Sequence, residues 1–299
     1  MLIYYAALLP FGYTKRVDLI FYIVAGFVVG LLVGLTGVGG GSLMTPILLI
    51  FFNVKAAVAV GTDLLYASIT KSVGIFAHGK LGNIDWQIVR QLAYGSIPAS
   101  IITVLYLREL DIASDHAVSS IKFWLGIALL LTSLSVLFRN QLAKLSKNGH
   151  WINPRYTPTL TVTLGLILGF LVTLTSVGAG ALGVTALLIL YPKIPITKIV
   201  GTDVAHAVPL TLVAGLGHAS LGTVDYSLLG TLLIGSIPGI WIGSHLSAKV
   251  AEHWVRTLLA LILVYVGQKL AFPELNQLIG ISVLLLIVAL KQLSLKSAK

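Results

Sequence analysis

GTDLLYASITKSVGIFAHGKLGNIDWQIVRQLAYGSIP, residues 61–98, returns as GTDVAHAVPLTLVAGLGHASLGTVDYSLLGTLLIGSIP at residues 201–238. The two stretches agree at 14 of 38 positions. Among these are Gly61-Thr62-Asp63 with Gly201-Thr202-Asp203, His78 with His218, Gly82 with Gly222 and Asp85 with Asp225, and Gly95-Ser96-Ile97-Pro98 recurs as Gly235-Ser236-Ile237-Pro238. Shared hydrophobicity will align any two apolar helices, but it does not set Asp, His and Pro in the same order. Upstream, at a shift of 139 rather than 140, GLLVGLTGVGGG from Gly30 lies over GFLVTLTSVGAG from Gly169. The chain is an internal duplication, and its architecture follows from one half and the relation between the two.

Composition says what surrounds these halves. Apolar residues make up 57% of the 299 residues, charged residues only 10%, and the mean hydropathy is +0.97. Soluble proteins carry roughly 25% charged residues, so this chain has too little polar surface for a globule in water. The sequence reads as an all-α integral membrane protein. Cysteine is absent, which excludes disulfides, thiolate metal sites and cysteine nucleophiles. The net charge of +10 is scattered over loops and ends, which argues against nucleic acid as a partner; in membrane proteins such bases report orientation. Lys15 and Arg16 follow the first apolar residues rather than precede them, so a cleaved secretory signal is not expected.

Apolar runs near spanning length lie at about 18–36, 57–78, 85–107, 117–138, 158–175, 198–218, 225–246, 254–271 and 276–293. Two shorter runs, 42–53 and 181–191, follow the clusters Gly37–Gly41 and Gly178–Gly180; at about 1.5 Å per residue neither crosses about 30 Å of hydrocarbon alone. Each reads as half of a broken helix or as a re-entrant segment. The expected organisation is a first repeat (1–138), a cytoplasmic linker (139–157), a second repeat (158–272) and an extra C-terminal helix with a basic tail (273–299). With the short segments counted as crossings, each half has five and the second copy is inverted. Thirteen Lys and Arg residues then fall on the linker side and six outside, against nine and ten if both short segments re-enter. Bases favour the cytoplasmic side, so inverted repeats with a cytoplasmic linker and C-terminus are expected, in the cell membrane.

Gly26, Gly30 and Gly34, and likewise Gly165 and Gly169, recur every four residues, the spacing of close helix packing. The clusters Thr36–Ser42 and Thr175–Ala181 differ. Consecutive glycines break a helix within the apolar region, and such backbone is tolerated only inside protein or along a wet cavity. The amides that open each short helix, Gly40–Leu43 and Gly180–Gly183, would favour an anion, with hydroxyls from Thr36, Ser42, Thr175 and Ser176 beside them. A tight interhelical turn is the alternative, while a dinucleotide fingerprint would need a βαβ unit. Asp63 and Asp203 stand about two turns inside their helices, where carboxylates are costly and usually functional; the alternative is that each caps a helix start. Lys71 sits at mid-helix, too deep to snorkel, and reads as a counter-ion or a substrate contact. His206 flanks the Asp203 stripe. His78 and His218 fit structural hydrogen bonding better than ligation, Asp85 and Asp225 fit N-caps, and Pro98 and Pro238 fit helix kinks.

The glycine cluster ahead of a short proline-containing helix (Gly37–Pro46), then AVGTD, HGKLGNIDW (His78–Trp86) and GSIP, all with second-half counterparts, resemble the TauE/SafE family over roughly residues 18–272. That resemblance implies export of sulfite or organosulfonates across a bacterial or archaeal cytoplasmic membrane. Family members commonly carry an uncharged residue where Asp63 and Asp203 stand. The combined expectation is a secondary transporter of small sulfur-containing oxyanions working by alternating access. The anion would be held by Thr36, Gly39, Gly40, Gly41, Ser42, Lys71, Thr175, Ser176, Gly178 and Gly180, with Asp63, Asp203 and His206 in coupling or gating. No cofactor, metal or catalytic residue is expected. The expected partners are a small anionic substrate and membrane lipid, and a homodimer is compatible with them. An anion channel of the same fold and an intramembrane aspartyl hydrolase are the alternatives; the second lacks the usual GxGD pattern.

Overall fold

The computed structural model describes residues 11–36, 41–80, 82–110, 114–148, 153, 155–246, 252–275 and 282. Among the described residues the secondary structure is entirely helical. The helices are α1 (Phe11–Thr36), α2 (Gly41–Phe51), α3 (Ala56–Lys80), α4 (Trp86–Glu109), α5 (Asp115–Asn148), α6 (Thr157–Thr175), α7 (Ala181–Leu190), α8 (Ile196–Ser220), α9 (Tyr226–Leu246) and α10 (Glu252–Ala271). Among the described residues five stretches are long and apolar enough to cross a membrane: Trp86–Glu109, His116–Arg139, Thr157–Thr175, Ile196–Ser220 and Tyr226–Leu246. The protein is an all-α membrane protein. The expected short helices after the glycine clusters are α2 and α7, of 11 and 10 residues. The expected helix at 276–293, apart from residue 282, and the residues Gly39 and Gly40 lie outside the described residues.

Helix α5 departs from expectation. It continues through Asn148, so Arg139 lies inside a helix rather than in a connection. The residues beyond it, Asn140-Gln141-Leu142-Ala143-Lys144-Leu145, are mostly good helix formers, and their polarity does not stop the helix.

Small residues set the packing. A Cβ on Gly30 would collide with the Ser236 backbone, and one on Gly26 with that of Leu232, so α1 lies against α9 with both chains running the same way. In the other half, Gly169 meets the Ser96 backbone and Gly165 that of Leu92, joining α6 to α4 in the same sense. Under the duplication Gly30 corresponds to Gly169 and Ser236 to Ser96, so these contacts are reciprocal copies. The polar contacts repeat the pattern. The Asp85 amide donates to Thr202 Oγ1 at 2.9 Å, and the Asp225 amide to Thr62 Oγ1 at 3.0 Å. Helices α3 and α8, which carry the two Gly-Thr-Asp motifs, cross with Gly61 beside His218 and Thr223 and Gly215 beside Leu65, and therefore run in opposite directions. Helices α5 and α10 are also antiparallel, Gly126 meeting Ala271 and Gly267 meeting Leu129 and Leu130.

The apolar exterior belongs to lipid. Tyr94, Ile102, Leu105 and Tyr106 on α4, and Ile234, Ile237 and Trp241 on α9, are all more than half exposed. Trp86 and Tyr226, equivalent in the duplication, stand exposed at the starts of α4 and α9, where amphipathic rings suit a membrane interface. Asp85 caps α4, accepting from the Gln87 and Ile88 amides, and Asp225 accepts from the Leu228 amide at 2.9 Å.

Candidate functional site: a buried ionic centre at the second helix break

Helix α6 ends at Thr175 because Ser176 turns left-handed (φ 60°), its amide closing on Val172 O at 2.7 Å. Gly178 and Gly180 follow at φ 124° and 121°, backbone that only glycine adopts readily. The turn uses up some groups that the sequence offers to a ligand. Thr175 Oγ1 donates to Leu171 O at 2.6 Å and accepts from the Val177 amide at 3.1 Å, and the Gly183 amide donates to Gly178 O at 3.1 Å. The Ser176 hydroxyl is buried beside the Asp63 carboxylate, outside hydrogen-bonding geometry.

Against this break lies the centre. Lys71, on α3 of the first half and 7% exposed, reaches across to donate from Nζ to the Ala179 carbonyl at 3.1 Å. It lies within electrostatic reach of both Asp203 and Asp63, each fully buried. Asp63 caps no part of its own helix. Its Oδ2 accepts from the amide and hydroxyl of Thr45 on α2, at 3.2 and 2.6 Å, while Oδ1 has no partner. Asp203 is placed differently. It lies over the first turn of α7, where a Cβ on Gly183 would strike its Oδ1, with the Gly180 amide beside it but outside hydrogen-bonding geometry. Neither Asp203 oxygen has a hydrogen-bond partner, and its neighbouring charges are Lys71 and Arg139.

Of the residues singled out in the sequence, Asp63, Lys71, Asp203, Ser176 and Gly180 come together here, with Gly178 forming the break. His206 is fully buried on α8; its Nε2 pairs with Ser96 Oγ at 2.8 Å, its Nδ1 has no partner, and it lies within reach of the Lys71 charge. Thr36, Gly41 and Ser42 are helical in backbone, at the end of α1 and the start of α2. His218 is structural. Its Nε2 donates to Thr173 O and its Nδ1 pairs with Thr223 Oγ1, both at 2.9 Å. Among the described residues no three His, Asp or Glu side chains gather as a metal site.

Three contributors escape sequence reasoning. Thr45 is one hydroxyl among many in an apolar helix. Ala179 acts through its carbonyl and so has no side-chain signature. Arg139, 7% exposed, sits where an apolar run gives way to polar residues, which disguises it as a linker base.

An all-helical membrane protein that buries opposite charges on a broken helix is built as a transporter, since ionisable groups at membrane depth mark substrate and ion pathways. The chain belongs to the family described as Sulfite exporter TauE/SafE, which it matches over residues 22–270. It is 41% identical over 250 residues to the "Probable membrane transporter protein YjnA" of Bacillus subtilis (strain 168), covering 83% of this chain and 98% of that protein. A "Probable membrane transporter protein" of Methanocaldococcus jannaschii is 28% identical over 262 residues, covering 82% and 92%. No solved structure matches. The protein is a membrane transporter of the TauE/SafE type.

Proposed function

We propose that the protein is an ion-coupled secondary transporter that moves small sulfur-containing oxyanions across the cytoplasmic membrane by alternating access between two inverted repeats. Inversion is supported by the antiparallel crossing of α3 and α8, the two copies of one motif, and by the reciprocal pairs Thr62–Asp225 and Thr202–Asp85. Antiparallel copies require a two-fold axis across the helices, hence in the membrane plane. The linker and C-terminus are cytoplasmic in this reading. The observation that carries the function is the Asp63–Lys71–Asp203 centre. Three ionisable groups at membrane depth, held by a helix break rather than by ordinary helix packing, are costly and have no need to exist in a passive scaffold. Asp63, Asp203 and His206 carry the coupling ion, and the broken segments of the two halves, with Ser176 and Gly180 in the second, face the anion's path.

Purified protein in liposomes tests this. Labelled sulfite should accumulate in proteoliposomes, and accumulation should rise when a proton gradient is imposed. Accumulation equal to that of protein-free liposomes refutes the reading, and saturation-free conductance indifferent to the gradient assigns the fold to a channel instead.

A further inference from the structure

Asp63 and Ser176, from opposite halves of the duplication, bring two buried oxygens to one place and leave both without a hydrogen bond. Asp63 is fully buried, with Oδ2 held by the Thr45 amide and hydroxyl at 3.2 and 2.6 Å and Oδ1 unpartnered. Ser176 is 4% exposed, and its Oγ lies beside the Asp63 carboxylate, outside hydrogen-bonding geometry. We infer that these groups form a sodium site, with Asp63 Oδ1, Ser176 Oγ and Thr45 Oγ1 as protein ligands and water completing the shell. The inference rests on the transporter reading and names the ion that Asp63 carries, leaving the proton to Asp203 and His206.

Ser176 stands where its backbone would prefer another residue. Its φ of 60° lies in the left-handed region that favours glycine. The first half carries Gly37 at the equivalent position, so glycine is the residue this break accepts without strain. The second half tolerates the strain and gains a hydroxyl, set beside a carboxylate but not bonded to it. Buried polar groups without partners are rare in folded proteins, and an ion is one of the few things that accounts for them. A serine kept only to bond the carboxylate would be expected to bond it.

The donor set suits a small, hard, monovalent cation. All three ligands are oxygens, and a hydroxyl that donates one bond keeps lone pairs to offer a cation. One carboxylate among neutral oxygens balances one positive charge, whereas calcium sites gather several carboxylates. Thr45 Oγ1 stands 2.6 Å from Asp63 Oδ2, a closeness that favours sodium over potassium. Ser176 also caps the C-terminus of α6, the negative end of a helix dipole, and half-helix ends of this kind coordinate coupling cations in transporters with broken helices. Lys71, the nearby ammonium, donates to Ala179 O at 3.1 Å and not to Asp63 Oδ1. Asp203 is surrounded differently: the Gly180 amide, Lys71 and Arg139 act on it, each a donor or a positive charge and none an oxygen ligand.

The test is equilibrium binding of radiolabelled sodium to the full-length protein in nanodiscs, in choline chloride. Wild type should bind saturably, with displacement by unlabelled sodium but not by potassium at the same concentration. Ser176→Gly should weaken binding at least tenfold, while its melting temperature in choline chloride should not fall, because a strained residue has been relieved. Asp63→Asn should abolish binding. No saturable binding in wild type, equal displacement by potassium, or wild-type affinity in a folded Ser176→Gly protein overturns the sodium site and leaves buried water as the partner of these oxygens. Intact binding with a lower melting temperature in Ser176→Gly makes that serine a structural hydrogen-bond donor and overturns the site equally. Saturable binding with the expected shifts but no sulfite accumulation in proteoliposomes would leave the site standing and remove the transport reading. Sulfite accumulation driven by a proton gradient, with no sodium binding, would do the reverse.

Discussion

Lys71→Met probes the ionic centre most directly, because two carboxylates depend on one ammonium. A lysine at mid-helix costs about 2.5–3.5 kcal/mol on insertion scales, so methionine alone should favour the folded membrane state. The geometry predicts the opposite net effect. Asp203 has no hydrogen-bond donor of its own, and its neighbouring charges are Lys71 and Arg139. Removing one partner from a buried ionic pair typically destabilises by about 3–5 kcal/mol, which for a domain of this size lowers the melting temperature by roughly 10 °C. The two carboxylates should then behave unequally. Asp203→Asn in the Lys71→Met background removes the stranded charge and should restore most of the loss. Asp63→Asn should restore less, because Asp63 keeps the Thr45 amide and hydroxyl as donors. Melting in nanodiscs followed by fluorescence of the five tryptophans measures all four proteins. Wild-type melting of Lys71→Met, or additive losses in its double variant with Asp203→Asn, would refute the charge balance described for this centre.

Other substitutions read other parts of the fold. Thr45→Val removes the 2.6 Å hydroxyl donor to a fully buried carboxylate, and should cost about 1.5–3 kcal/mol in unfolding experiments. Gly169→Ala places a Cβ into the Ser96 backbone and against Ala99, so α4 and α6 must part; about 1–3 kcal/mol of overpacking is expected, read as a lower melting temperature. Gly222→Ala is the control for that result. Its φ is +71° but nothing lies within 4 Å of the added atom, so its loss should be limited to the left-handed backbone term of about 1–2 kcal/mol.

The helices were legible in the sequence wherever an apolar run was bounded by turn chemistry. The run at 85–107 is the helix Trp86–Glu109, started by its Asp85 cap, and the run at 158–175 is Thr157–Thr175, ended by the expected break. The end of α5 was not legible, because hydropathy registers Arg139–Asn148 as a connection while helix propensity extends the helix through it. The ionic centre was half legible. Asp63, Lys71 and Asp203 stand out because charge is rare in such runs, but which groups meet depends on how α3 and α8 cross, and Lys71 finds its hydrogen bond on a backbone carbonyl in the opposite half. The expectation of open amides at the second break was modified by the fold itself, since Gly183 closes back on Gly178 and Asp203 lies over the turn.

The departures from two-fold repetition bear most on mechanism. A duplicated scaffold whose halves exchanged roles without bias would populate its two orientations equally, and a transporter with a preferred direction needs something to separate them. The differences fall at positions that would do so. Lys71 has Thr211 as its counterpart, so among the described residues the ammonium of the centre comes from the first half, while the break it binds belongs to the second. Lys198 pairs with Asp85 at 3.2 Å, whereas the residue equivalent to Lys198 is Val58, so Asp225 has no such pair from that position. The Lys198–Asp85 pair is partly exposed and contributes only about 0–1 kcal/mol, enough to tilt two near-equal states but not to lock one. The buried centre is the larger bias, because a charge buried against one half-helix has no equivalent position against the other. On the alternating-access reading the two repeats would exchange roles, and the single lysine, bound against one half's break, would make the two orientations unequal.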